Sequence, residues 1–313
     1  MLYLNNIENV TLKNAIIVGD SQTHQFIGNS THEWGFGVYI ISGKNITVEN
    51  LQIQNCTGDG ILIDGKESRD INILNCNIFD CRRQGISITC GENIKIFDNE
   101  IHDINGTNPQ SGIYLEAYQE NQIINNVEIR NNKIYNSNVD LAIIVDRGTY
   151  NVDITENIVD GSIGVNCAHE KAIISNNKVR NGMINVYESD NKVQYGNRVN
   201  YVEICDNEIE NSDIILSRIK KSAIYGNYIK DGTIQLDSTY AAIYNNKIEN
   251  TKEKSKKYAY RYTASVEENY IIYSVNNEEK GNFETIVLNE NEELITENNN
   301  IDDLKKYLNT IQK

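Results

Sequence analysis

The chain has little positive charge, and this narrows what it can bind. Lys and Arg number 29 against 44 Asp and Glu, a net charge of −15 over 313 residues. Residues 252–313 hold 12 acids and 9 bases, so about −12 falls on the first 251. A long acidic surface repels nucleic acid and anionic membrane, which need basic patches. It would also repel a polyanionic sugar unless a divalent cation stood between them. No apolar run approaches the roughly 20 residues of a membrane-spanning helix. The start, Met1-Leu2-Tyr3-Leu4-Asn5-Asn6, has neither the charged nor the apolar region of a signal peptide; the mature form of an extracellular or virion-associated protein would read the same. Six cysteines include no CxxC pair and no metal spacing. Proline and tryptophan occur once each, and helical periodicity is missing before residue 300. Asparagine, by contrast, occurs 48 times. Apolar residues make up 39%, with 20 glycines besides, enough for a real core.

Those asparagines recur in register. The phrase isoleucine, two residues, asparagine, one residue, isoleucine runs through Ile96–Ile101, Ile129–Ile134, Ile154–Val159, Ile174–Val179, Ile204–Ile209, Ile224–Ile229 and Ile243–Ile248. Its fourth position is Asn99, Asn132, Asn157, Asn177, Asn207, Asn227 and Asn246, with Ala15, Leu51 and Cys76 in earlier copies. The spacing has a minimum of about 20 residues with variable insertions, the mark of a solenoid. A second phrase sits between copies: a small residue, then apolar, any, apolar. Gly37-Val38-Tyr39-Ile40, Gly60-Ile61-Leu62-Ile63, Gly85-Ile86-Ser87-Ile88, Gly112-Ile113-Tyr114-Leu115 and Ala142-Ile143-Ile144-Val145 are examples.

Each repeat therefore supplies three short strands, with β-branched residues facing in at period two. The architecture expected is all-β: a right-handed parallel β-helix of about ten coils over residues 1–251. The asparagines are expected at the bends, where they tolerate left-handed backbone and can bond one another as an amide ladder. The first coil begins almost at Met1 with no cap, so the expectation is either a longer parent protein trimmed here or a partner, such as a second copy in a homo-oligomer, covering that end. Residues 252–313 read as strands (258–262, 270–273, 285–288) followed by a short amphipathic helix over 300–308, forming a cap or an oligomerisation segment.

The glycine-led strands, the asparagine column and the Gly58-Asp59-Gly60-Ile61 corner resemble the pectate-lyase-like β-helix superfamily, over about residues 8–250. That superfamily includes pectate lyases, polygalacturonases, alginate epimerases and phage tailspike depolymerases. The resemblance implies a polysaccharide groove along the glycine-led strands. Asp59 resembles the polygalacturonase aspartate that precedes such a strand. The chain departs from that pattern at Gln84 and at Ser111-Gly112, so the three-aspartate arrangement does not carry over. Arg218-Ile219-Lys220 resembles those enzymes' Arg-Ile-Lys but lies far down the rod. Pectate lyases add calcium-binding aspartates and an arginine base. Arg82, Arg83 and Arg147 offer the base, but no aspartate cluster forms a calcium site here, so no cofactor is expected unless the substrate is a polyuronate, which would call for calcium.

Loop lengths mark the same region. Residues 18–36, 102–111 and 117–126 are the long connections, and long ordered loops on a solenoid wall build clefts. The residue after the glycine-led strand runs Ile41, Asp64, Thr89, Glu116, Asp146, Asn166. Asp64, Glu116 and Asp146 stack there at multiples of about 4.8 Å. Paired carboxylates roughly 5 Å or 6.5–9.5 Å apart serve retaining or inverting hydrolysis. The candidate catalytic residues are Asp59, Asp64, Glu116 and Asp146. The candidate substrate-binding residues are His32, Glu33, Trp34, Tyr39, Arg83, Tyr114, Tyr118 and Arg147. Cys56 and Cys81 share an inward column, where a disulfide or stacked free thiols fit.

Two main readings follow. One is a carbohydrate-active β-helix that cleaves or modifies a polysaccharide, with a glycoside hydrolase preferred over a lyase or an epimerase. The other is a non-catalytic glycan-binding or phage tail-fibre segment. A plain structural spacer is the third.

Overall fold

The computed structural model describes residues 1–28, 30–119, 121–138, 141–166, 169–187, 201–251, 259–263, 270–281, 292–296 and 306. Their strands form three parallel sheets of 11, 12 and 11 strands, each taking every third strand of the chain. One turn of the chain lays one strand on each sheet, as in Leu2–Asn5, Glu8–Lys13 and Ile16–Val18 of the first coil. The expected parallel β-helix is the fold.

The register explains the repeat. In the first, glycine-led sheet, Val38 pairs with Ile61, and Ile61, Ile86, Ile113, Ile143 and Ile163 then follow on successive coils. All of these side chains are fully buried. Stacking like on like lets every coil fill the same cross-section, so isoleucine wins wherever a pleated, packed surface is required.

The asparagines divide into two columns where a single one is expected. Asn99 donates from Nδ2 to Asn132 Oδ1 at 2.9 Å, and Asn132, Asn157, Asn177, Asn207, Asn227 and Asn246 continue the ladder to Asn277. None of these eight residues has left-handed backbone. The left-handed angle falls one residue earlier, at Asn50 (φ 54°), Asn75 (51°), Asp98 (60°), Asn131 (52°) and Asn176 (56°). The exposed corner residues do both jobs expected of them, since they also bond from coil to coil, as in Asn50 Nδ2 to Asn14 Oδ1 and Asn126 Nδ2 to Asn93 Oδ1, both at 2.7 Å. What is corrected is the fourth-position column, whose buried asparagines bond along the rod without turning the corner. Asn277 escapes the repeat search because its anchor isoleucines are replaced by Ser274 and Glu279.

Past residue 251, Tyr260–Thr263, Tyr270–Val275 and Glu278–Lys280 add to the same three sheets. The expected strand over 285–288 and the helix over 300–308 fall outside the described residues, Lys306 excepted. Cys56, Cys76, Cys81, Cys90 and Cys205 are buried free thiols. Cys56 and Cys81 interact without a disulfide, which together with burial holds the Cys81 thiol well above its usual pKa.

Candidate functional site

The glycines before the first-sheet strands hold their places by close approach. A Cβ on Gly60 would stand 2.4 Å from Ile78 Cγ2 and 2.7 Å from the Gly85 carbonyl oxygen; one on Gly58 would stand 2.0 Å from the Glu33 carbonyl oxygen. Neither glycine has positive φ, so the expectation of a tight glycine corner is refined to one of contact. At Gly58 the contact serves the site. The 30–37 loop lies directly on that backbone, with the Gly58 amide donating to the Gly35 carbonyl at 3.0 Å, and this seats Glu33 over the first sheet.

Arg83 is the hub of the site. Its Nη1 donates to both Asp59 oxygens at 3.1 and 3.3 Å, and its Nη2 donates to the Tyr118 hydroxyl at 2.6 Å. Glu116 Oε2 lies 3.8 Å from Nη2 and Glu33 Oε2 lies 3.7 Å from Nε. Four candidate residues from three separate segments, Asp59, Glu33, and Glu116 with Tyr118, thus converge on a fifth. The Arg83 side chain is 15% exposed and Asp59 is fully buried. Burial pushes the Asp59 carboxyl up to about 7; Arg83 opposes this, while Glu33 and Glu116 add to it. Burial also raises Glu116, against the lowering pull of Tyr118 and Arg83. Burial and Glu116 keep the Tyr118 phenol well above its usual range. Burial disfavours charge on Arg83, but Asp59 and Tyr118 outweigh it and the guanidinium is held firmly protonated. Near neutral pH the cluster therefore holds one carboxyl able to give or take a proton, beside a second acid biased the same way.

The strand-end column stands on one wall as expected: Ile63 pairs with Ile88, Ile88 with Leu115 and Leu115 with Val145. Asp64, Thr89, Glu116 and Asp146 each follow one of these residues. Asp64 accepts from Thr89 Oγ1 at 2.6 Å and from Gln122 Nε2 at 3.3 Å. Gln122 Oε1 in turn accepts from the amides of Tyr118 and Gln119 at 2.8 and 2.9 Å, which holds the Tyr118 and Gln119 backbone beside the strand ends. Burial, followed by the charge of Asp64, raises the Tyr39 phenol. Asp146 accepts from the Tyr114 hydroxyl at 3.3 Å and from the Arg147 amide at 2.8 Å. Asp64 and Asp146 therefore flank the cluster and lie outside the Arg83 contacts.

Two expected residues lie elsewhere. His32 turns away from the acids: its Nδ1 meets His24 Nε2 at 2.9 Å and its Nε2 meets the Ile27 carbonyl at 2.9 Å. Trp34, 72% exposed, reaches Tyr39 only through Phe36, with ring centroids at 6.3 and 5.1 Å. Two residues outside the candidate set, Gln84 and Ser111, also belong to this wall. They lie on the coils after Asp59, paired with each other, and are fully buried with no hydrogen-bonding partner for their side-chain atoms among the described residues. Their position before the small residue was the available signal; their type read only as a departure from the aspartate pattern. Among the described residues no group of three His, Cys, Asp or Glu gathers to hold a metal. Glu33, Asp59 and Glu116 already enclose a guanidinium, so these residues do not fit a calcium ion. No helix among the described residues is long and apolar enough to cross a membrane.

Residues 3–127 match the family model described as a right handed beta helix region. Over 149 residues the chain is 34% identical to the uncharacterized protein YclG of Bacillus subtilis (strain 168), covering 42% of this chain and 26% of that protein. Over 136 residues it is 32% identical to the SPbeta prophage-derived uncharacterized protein YorA of the same organism, covering 38% and 23%. The chain spans about a quarter of the length of these curated relatives. Similar solved structures include the AlgE4 A-module, a mannuronan C-5 epimerase of Azotobacter vinelandii (12% identity, TM-score 0.49, 94% of this chain and 90% of that one). Another is the tailspike gp49 of Acinetobacter baumannii bacteriophage Fri1, a capsular polysaccharide depolymerase (13%, TM-score 0.43, 88% and 45%). In fold, this chain is a right-handed parallel β-helix.

Proposed function

We propose that the chain binds a polysaccharide across the first sheet, between the 30–37 loop and the 117–122 turn, and cleaves it by acid–base work. Asp59 is the proton donor and Glu116 its partner. The observation that carries this reading is the fully buried Asp59 carboxyl, poised near pH 7 and joined to Glu116 through one guanidinium. Two acids on a shared guanidinium, two coils apart, stand on the scale of the roughly 6.5–9.5 Å at which an inverting pair admits water. Hydrolysis is favoured over elimination because Arg83 and Tyr118, the groups best placed to take a proton from carbon, are both held protonated.

The test is a panel of neutral and acidic polysaccharides assayed for new reducing ends, for unsaturated product and, by NMR, for epimerised sugar. Reducing ends are expected, and Asp59→Asn or Glu116→Gln should abolish them in a folded protein. No product from the wild type, or product that survives Asp59→Asn, would overturn the reading. The complete shielding of Asp59 by Arg83 favours a second reading, a glycan-binding wall without chemistry. In that case glycan binding persists through both substitutions and no product forms.

A further inference from the structure

Arg82 and Arg83 are consecutive, yet their side chains serve opposite sides of the same wall. Arg83 enters the acid cluster. Arg82 turns to the other side and donates to the carbonyls of Thr31, His32 and Thr57 at 3.4 Å and of Gly106 at 3.5 Å. It thereby ties the two long loops, 18–36 and 102–111, to the coil. Between these loops and the corner after the third sheet opens a hollow of about 610 Å³, within the roughly 300–1,000 Å³ of small-ligand sites.

Its lining has a definite chemistry. Asn55, Asp80 and Asp103 are the left-handed corner residues of three successive coils (φ 58°, 52° and 54°), so their short polar side chains form a row at coil spacing. Asp103 is fixed in place by His102 at 2.6 Å and Asn136 at 3.1 Å. Asp80 is exposed and makes no hydrogen bond or ion pair to any described residue. Gln22 reaches in from the loop to Asn55 Oδ1 at 3.1 Å. Opposite the row is Phe26, 47% exposed. The Arg82 guanidinium covers its ring at 4.1 Å, and His24 and His32 hold it edge-on.

We propose that this hollow is a second saccharide site, taking a neutral sugar ring. Carboxylate and amide groups in a row accept and donate to neighbouring hydroxyls, and the fixed Phe26 ring offers an apolar face to the C–H side of a sugar. Charge decides the class. Two carboxylates against one arginine, itself committed to main-chain carbonyls, repel a uronate. The site owes nothing to the acid–base reading of the first sheet and stands or falls separately.

Saturation-transfer NMR on the wild-type chain with glucose, galactose, mannose and N-acetylglucosamine, and with glucuronate as the charged control, tests it. At least one neutral sugar is expected to show transfer, and glucuronate at least fivefold less. Phe26→Ala should weaken the transfer at least fivefold. So should Asp80→Asn, which keeps the left-handed corner and the fold. Asp59→Asn, in the other site, should leave it unchanged. The proposal is overturned if no neutral sugar shows transfer, if glucuronate matches the neutral sugars, or if transfer survives both substitutions in the hollow. It is also overturned if Asp59→Asn abolishes the transfer, because the sugar then sits among the acids. A failure to find any reaction product would sink the acid–base reading and leave this one untouched.

Discussion

Replacing Asp59 by asparagine separates the carboxyl's burial from its function. In the folded chain this carboxyl titrates near pH 7, against an ordinary value of 3.8, so folding takes up a proton throughout the interval between those values. Its contribution to stability is complete below about pH 4 and is lost as the pH rises through 7. Three pH units at about 1.4 kcal/mol each make some 4 kcal/mol over the whole interval, of which about 3 kcal/mol falls between pH 5 and pH 8. That is a large part of a typical folding free energy of about 5–15 kcal/mol. Asparagine has the same shape, still accepts from Arg83 and does not titrate. Glu116, raised in the same direction, is present in both proteins, so its contribution largely cancels in the comparison. Urea unfolding at pH 5, 6, 7 and 8 should therefore give a wild-type curve that falls about 3 kcal/mol further than that of Asp59→Asn. By pH 8 the variant should match or exceed the wild type in stability while lacking any acid–base activity. Parallel curves, differing by under about 1 kcal/mol across this range, would refute the reasoning that burial governs Asp59.

Three further outcomes test other parts of the structure. Asn157→Leu strips partners from the Asn132 main-chain amide and the Ile129 carbonyl, both buried. At about 1–3 kcal/mol for each orphaned group, denaturant unfolding should show a loss of about 2–6 kcal/mol. Tyr118→Phe removes the hydroxyl that lowers Glu116, so carbon-13 NMR should show the Glu116 carboxyl titrating at higher pH than in the wild type, and an unchanged value would discount that contact. Gly58→Ala pushes a methyl against the Glu33 carbonyl, 2.0 Å from the added carbon. The loop must lift, and the fluorescence of Trp34, the only tryptophan, should change in wavelength or anisotropy together with loss of activity.

Much of the fold was legible because a solenoid repeats its physics. Ile61, Ile86 and Ile113 occupy the same environment on successive coils, so the same residue type recurs and the register can be read by eye. The wall shared by Asp64, Glu116 and Asp146 followed from the same counting. The two asparagine columns were harder to separate, because the exposed corner residue and the buried ladder residue are adjacent and often of the same type, as in Asn131-Asn132 and Asn176-Asn177. Gln84 and Ser111 are not legible in this way, because an uncharged residue before the glycine carries no sign of its burial or of its missing partners.

The sequence by itself determined the coil, its period and the face on which each short strand turns its side chains, since these depend on local backbone preference and on stacking like upon like. Only the tertiary structure decided what meets whom across the wall. Glu33, Asp59 and the pair Glu116 and Tyr118 come from three different segments, and nothing in the spacing of those segments brings them to one guanidinium. Nor does the pair Arg82-Arg83 announce that one arginine serves the acids and the other the hollow behind them. Those partnerships arise where long loops fold back on the rod, and a loop's landing place is set by contacts such as Gly58 against Glu33, which no repeat encodes.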